Sequence, residues 1–337
     1  MGDGVRLGVI GAGPMGRHHC RTLAGLPGVQ LVTVADLNVE TARLAAVGAP
    51  GAVATDDHVS LLADASTAAV IITTPNDTHA ALIAEAARAG KHIFCEKPLS
   101  RDLASADEAL AAVASSGVKL QLGFQRRFDP AYRRAKAMLS GGELGALELV
   151  MSTTRDPAPP AVDYMRHSGG LFTDTLIHDI DSVRYLTGQE IVAVSTAAAA
   201  LFLPPEGREE GFVDTAVTTL RLDSGALAVV TNSLRATYGY EVGAEVLGER
   251  GKVSVGQEEL TRLRRFDDSG VRSDHVVSVL DRFGEAFAEE LASFVRCLRE
   301  GTEPSPSGAD GRAALAAALA AKRSHEEGRW VEVAELG

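Results

Sequence analysis

The feature that most constrains the fold is an apolar run, Val5 to Ile10, that stops at Gly11-Ala-Gly-Pro-Met-Gly16 and gives way to a helix-forming stretch from Arg17 to Leu26. Glycines at this spacing after a strand permit a tight turn, close approach of a pyrophosphate to the backbone, and close helix packing. The helix that follows aims its unpaired N–H groups at the phosphates. A second apolar strand, Gln30 to Ala35, ends at Asp36, 20 residues past Gly16 (36 − 16). An acid at that separation takes the ribose hydroxyls of NAD and repels the 2′-phosphate of NADP. NAD is therefore the expected cofactor. His18 and His19, inside the first helix, suit surface or packing roles better than a ligand role.

Strand and helix then alternate: a short segment near Ala52, a helix over 57–63, a strand over 68–73, a helix over 78–89, a strand over 92–95, a helix over 102–114 and a strand over 118–123. Such alternation means a parallel sheet with helices on both faces, and ligands gather at the carboxyl ends of its strands. Two of those ends are chemically unusual. In Thr73-Thr-Pro-Asn-Asp-Thr-His79, Pro75 fixes the backbone, and Asn76 and His79 can either reach a cofactor or serve the start of a helix. In Cys95-Glu-Lys-Pro98 a buried strand runs into a charged pair, which places Lys97 at a catalytic edge or on the surface. The expected cofactor contacts are Gly11, Gly13, Pro14, Met15, Gly16, Asp36, Thr74, Pro75, Asn76, His79, Glu96 and Lys97.

Beyond this half the pattern changes. Segments 147–153, 191–198, 216–222, 226–233 and 244–247 alternate in polarity and are separated by Gly, Pro and acidic turns, without helices between them after Leu186. An antiparallel sheet is expected. Residues 203–211 read as an exposed loop, 282–300 and 311–323 as helices, and 301–308 as a short flexible connector. Ahead of this sheet lies Ser168 to Asp181, SGGLFTDTLIHDID. If Leu171 onward is helical, a separation of four puts Asp174 and His178 on one face, with Asp181 on a similar one. They form either an ordinary surface ion pair or an acid/base pair, in which the carboxylate fixes the imidazole tautomer and stabilises its charged form. No second His in register or Cys cluster completes a metal site here, so no metal is expected.

The chain has 337 residues, enough for two cores, and the expected division is 1–123 and 124–337. A net charge of −12 argues against nucleic acid, which demands a basic face. No apolar run is long enough to span a membrane, and the N-terminal residues resemble no leader. A cytoplasmic protein is expected. Cys20, Cys95 and Cys297 are odd in number and far apart, as reduced thiols are.

Taken together, GxGxxG with Asp36, then TPNDTH, GKHIFCEKP and GGLFTDTLIHDID, the chain resembles the glucose-fructose oxidoreductase, inositol dehydrogenase and MocA-like superfamily over nearly its whole length. GFQRRFD from Gly123, STTRDPAPP from Ser152 and ATYGYE from Ala236 are most similar to its inositol 2-dehydrogenase branch. The resemblance implies an α/β Rossmann domain followed by an α+β domain with an open, mostly antiparallel sheet, whose outer face makes homo-oligomer contacts in a dimer or tetramer. It implies Lys97, Asp174 and His178 as the catalytic three, and oxidation of a cyclitol or sugar hydroxyl with hydride transfer to NAD. Arg127, Asp156, Tyr164, His167 and Tyr240, with the catalytic three, offer the polar contacts that a polyol ring needs. Two departures bear on the substrate. Where the family has an Asp-Trp pair before Arg-Phe this chain reads Ser278-Val-Leu-Asp-Arg-Phe283, and EVGAEV after Tyr240 lacks the usual polar residues. The same superfamily includes regulators that bind the dinucleotide without turnover and enzymes that retain it; keeping all three catalytic residues favours a dehydrogenase.

Overall fold

The computed structural model describes residues 4–256 and 259–337. The chain forms two compact units, one reaching to Gln125 and including Phe287–Leu315, the other Arg126–Ala286 with Ala316–Gly337. The single cut expected near residue 123 thus has a counterpart at 125, but a late segment also belongs to the first unit. The reason is apolar burial: Leu291, Phe294 and Val295 pack in one cluster with Leu7, Val9, Ile71 and Phe94.

The first unit is a six-stranded sheet. Its elements are β1 (Val5–Ile10), α1 (Pro14–Gly25), β2 (Val29–Ala35), α2 (Val39–Ala46), β3 (Val53–Thr55), α3 (His58–Ala63), β4 (Ala69–Ile72), α4 (His79–Arg88), β5 (His92–Glu96), α5 (Leu103–Ser116) and β6 (Leu120–Gly123). All pairs are parallel, in the order β3-β2-β1-β4-β5-β6. The reversal of order between β1 and β4 opens the crevice in which this fold binds ligands. β4 is fully buried along its length, as a strand covered on both faces must be. The connector expected to be flexible is instead tied down, with Leu122 N–H donating to the Pro306 carbonyl at 3.0 Å.

The second unit comprises α6 (Pro130–Ser140), β7 (Leu147–Arg155), α7 (Val162–Ser168), α8 (Ile177–Thr187), β8 (Ile191–Ala199), α9 (Pro205–Glu209), β9 (Thr215–Leu222), β10 (Leu227–Ser233), β11 (Glu241–Gly248), β12 (Gly251–Gly256), β13 (Glu259–Asp267) and β14 (Gly270–His275). Then follow α10 (Val279–Glu300), α11 (Gly308–Glu327) and β15 (Val331–Glu332). The main sheet runs β12-β11-β7-β10-β9-β8-β15 and is antiparallel except for the parallel pair β7 and β10; β13 and β14 form a separate hairpin. It is open and mostly antiparallel, as expected, with one correction: the loop at 203–211 contains the short helix α9. Helices α6 and α7 and strands β12 to β15 are additional to those expected. Among the described residues no helix is long and apolar enough to cross a membrane. All three cysteines are buried and unbridged.

One buried charge fixes α8 to the sheet. The register pairs Thr154 of β7 with Asn232 of β10, and Ser152 lies two residues along on the same face. All three converge on the Asp179 carboxylate, with Ser152 Oγ at 2.6 Å, Thr154 Oγ1 at 2.8 and 2.9 Å, and Asn232 Nδ2 at 2.8 Å. Arg126 Nη1 adds an ion pair at 2.9 Å. Burial would lower the Arg126 pKa, but the Asp179 charge and hydrogen bond, with Tyr132 and Tyr240, together hold the guanidinium above its ordinary value. Removing the carboxylate would leave that cation buried and unpaired. Asp179→Ala is therefore expected to destabilise the protein by roughly 3–5 kcal/mol, read as a lower denaturant midpoint in equilibrium unfolding; an unchanged midpoint would show the network to be dispensable.

Candidate active site

The glycine loop of the first unit is closed on one side and open on the other. Gly11 has φ +94°, and a Cβ there would lie 2.7 Å from the Thr73 backbone; a Cβ on Gly16 would lie 2.1 Å from the Gly11 carbonyl oxygen. Thr73 Oγ1 donates to that same oxygen at 2.6 Å. At Gly13, by contrast, a Cβ would meet nothing within 4 Å. The absent side chain there leaves room beside the N-terminus of α1, whose first turn no side chain caps and where Pro14 and Met15 begin the helix. Asp36 is held at the end of β2, its Oδ2 accepting from Ala12 N–H at 2.7 Å and its Oδ1 from Asn38 N–H at 2.9 Å. An open cradle, free helix N–H groups and a fixed carboxylate together fit a dinucleotide with unmodified ribose.

At the end of β4, the Thr74 side chain meets Thr78 Oγ1 at 2.6 Å, Pro75 is exposed and Asn76 is buried. His79 faces inward: Nδ1 is 2.7 Å from the Pro98 carbonyl and Nε2 is 2.9 Å from that of Thr74. Both partners accept, and burial holds the His79 pKa below the ordinary value, so the neutral ring donates to one carbonyl and only faces the other. His79 thus ties the Thr74 segment to the turn that follows Lys97. Glu96 also turns inward, its Oε1 2.8 Å from Nε2 of the fully buried His19, while Lys97 next to it is partly exposed.

In the second unit, Gly169 and Gly170 at φ +82° and +72° end α7 and turn the chain into the next helix. That helix starts as a π turn, Phe172–Leu176, and continues as α8. Widened turns of this kind recur at functional sites. From Gly170 to Arg184 every residue is buried except Asp174 and His178, which are partly exposed. Asp174 and His178 thus form a two-residue polar strip in a stretch, Gly170 to Arg184, that is otherwise buried. Asp181 departs from expectation: it is buried, and Arg127 binds it through Nε at 2.9 Å and Nη2 at 2.6 Å.

The other expected ring contacts are scattered through this unit. Arg127, besides holding Asp181, lies 5.4 Å from the Tyr185 ring centroid. Tyr164 is half exposed, with its hydroxyl 3.5 Å from Asp174 Oδ1, and His167 occupies the last turn of α7. The Asp156 main chain is pinned by Ser233 and Ala236 at 3.0 and 2.7 Å, and Tyr240 is buried beside β11. Arg126 and Asp179, which set the helix in place, were not foreseen. Their signal was present in the Arg pair of GFQRRFD and the acids flanking Ile180, but ion pairing over 53 residues (179 − 126) requires the fold.

Comparison with known proteins gives a consistent picture. Residues 5–124 match the model of an oxidoreductase family with an NAD-binding Rossmann fold, and residues 132–254 match the GFO/IDH/MocA C-terminal domain. The chain is 41% identical over 332 residues to an inositol 2-dehydrogenase of Rhizobium meliloti, covering 98% of this chain and 99% of that one. It is 36% identical to the NAD-dependent scyllo-inositol 2-dehydrogenase of Bacillus subtilis, covering 98% and 96%. Among solved structures, a myo-inositol dehydrogenase from Lactobacillus casei in complex with NAD(H) and myo-inositol superposes with a TM-score of 0.87 at 32% identity, covering 98% and 96%.

The Asp36 geometry makes a direct prediction. Asp36→Ser is expected to remove a charge-assisted bond to the ribose and the repulsion of a 2′-phosphate. The ratio of kcat/KM for NAD over NADP should fall by about 10- to 100-fold; an unchanged ratio would mean that Asp36 does not select the cofactor.

Proposed function

Because the chain belongs to the GFO/IDH/MocA family of NAD-binding oxidoreductases, we propose that it oxidises one secondary hydroxyl of a cyclitol, myo-inositol or another inositol isomer, to the ketone. The observation that carries this reading is the partly exposed Asp174 and His178 strip in the otherwise buried stretch from Gly170 to Arg184, in a chain 41% identical to an inositol 2-dehydrogenase. A bound NAD supplies the hydride acceptor. Its holders are Gly11, Gly13, Pro14, Met15, Gly16 and Asp36, with Thr74, Pro75, Asn76 and Lys97 at the neighbouring strand ends.

The roles assigned to the side chains follow from what alcohol oxidation needs. His178 accepts the hydroxyl proton, Asp174 orients the imidazole and stabilises its charged form, and Lys97 donates a hydrogen bond to the substrate oxygen as negative charge develops. The Tyr164 hydroxyl near Asp174 supports its assignment to the ring-binding set, with Asp156, His167 and Tyr240. Arg127 serves that set by holding Asp181. The departures at Ser278 to Phe283 and after Tyr240 keep a pyranose sugar as the second substrate class. A homo-oligomer, dimer or tetramer, in the cytoplasm completes the reading.

Three measurements test it. With a panel of inositol isomers and aldoses, NADH release should be greatest for a cyclitol; absence of NADH release from every polyol would favour the dinucleotide-binding regulator. Lys97→Ala and His178→Asn should each bind NAD normally yet lose about 10²- to 10⁴-fold in kcat. In the oxidation direction kcat/KM should rise with pH through one ionisation, because a protonated imidazole cannot accept a proton. His178→Asn should abolish that limb, and retention of the same profile would place the base elsewhere.

A further inference from the structure

Behind Glu96 the first unit buries a second carboxyl that the chemistry above does not use. Glu290 of α10 is fully enclosed, and neither of its carboxyl oxygens has a hydrogen-bond partner. His19 and Glu96 lie beside it, with a ring nitrogen of His19 and a carboxyl oxygen of each acid within 4.8 Å of one another. The surroundings are aromatic: Phe94 and Phe287 lie edge-on to the His19 ring, at centroid distances of 5.6 and 6.1 Å. Gln121 from β6 uses its amide on the Glu290 main-chain carbonyl at 2.9 Å and brings no charge. From α1 the titratable groups are His19 and, alongside it, His18, whose pKa burial lowers; from β5 it is Glu96.

Two carboxylates at this distance in an apolar setting cannot both ionise without strong repulsion. Of the two, Glu96 has the His19 contact at 2.8 Å and some solvent access, and Glu290 has neither. We propose that Glu290 is kept as a neutral carboxylic acid and acts as a positioning residue, backing the Glu96 and His19 pair and so setting where the adjoining Lys97 stands. Burial, and then the Glu96 charge, push the Glu290 carboxyl well above the ordinary range. Gly123 makes the fit possible, because a Cβ there would lie 2.8 Å from Glu96 Oε2. A divalent cation on the same three residues is the less apt occupant. A metal-bound histidine normally donates its other ring nitrogen to a partner, and here His19 Nδ1 has none.

This inference deepens the functional reading and rests on Lys97 acting at the substrate, but its first test does not depend on activity. Infrared spectra of the wild type minus Glu290→Gln at neutral pH should show loss of a protonated-acid carbonyl band. Loss of carboxylate bands instead would overturn the proposal, as would a metal that copurifies with the wild type and not with the variant. In turnover, Glu290→Ala should lower kcat by about 10- to 100-fold, the scale of a small misplacement of a catalytic group, with NAD affinity unchanged. Glu290→Gln should restore most of that loss, since an amide mimics the neutral acid. If Gln is as damaging as Ala, an ionised or otherwise specific carboxyl is required; if Ala keeps full kcat, the positioning role fails even where Lys97→Ala is inactive.

Discussion

The buried Asp179 carboxylate is the interaction on which the second unit depends. A helix enclosed on nearly every side has few ways to set its rotation, because apolar contacts are non-directional. Hydrogen bonds are directional, and four groups from β7, β10 and the segment ahead of α6 converge on Asp179. His178 is its neighbour in the chain. Fixing Asp179 toward the sheet obliges His178 to point another way, which is how Asp174 and His178 come to be the partly exposed positions between Gly170 and Arg184. The price is a charge that must always be paired.

The second buried pair, Arg127 with Asp181, repeats the device one residue along in the arginines and two along in the acids. An ion pair so deeply enclosed contributes modestly to net stability, since desolvation offsets much of the attraction. Its value lies in geometry. Bidentate contact with a planar guanidinium defines an orientation that a Lys or an apolar pair would leave loose.

In the cofactor unit, order comes chiefly from the backbone. Gly11 and Gly16 are places where any side chain would collide with Thr73 or with the loop itself, whereas Gly13 borders open space. The same three glycines therefore serve opposite purposes, two for packing and one for access. Asp36 joins these purposes, because the Ala12 N–H that it accepts belongs to the loop. His79 and Glu96 do similar work at the ends of β4 and β5, turned inward to carbonyls and to His19. Inward polar groups beside a site hold its loops where they can be reached by ligand.

Local patterning was sufficient for much of this. Alternating strands and helices, the glycine spacing with Asp36, and the four-residue separation of Asp174 and His178 are short-range features, governed by steric rules and by helical and strand periods that act within a few residues. They determined the parallel sheet with its covering helices, the cofactor class and the four-residue pairing of Asp174 with His178. Other features lay outside their reach. The parallel pairing of β7 with β10, the return of residues 287–315 to the first unit, the ion pair of Arg126 with Asp179 and the placing of Glu290 beside Glu96 and His19 join residues far apart in the chain. For these a sequence pattern says only that a residue is polar or apolar. Which buried charge meets which partner is decided when sheet register and helix packing bring them together, because desolvation makes every unpaired alternative costly.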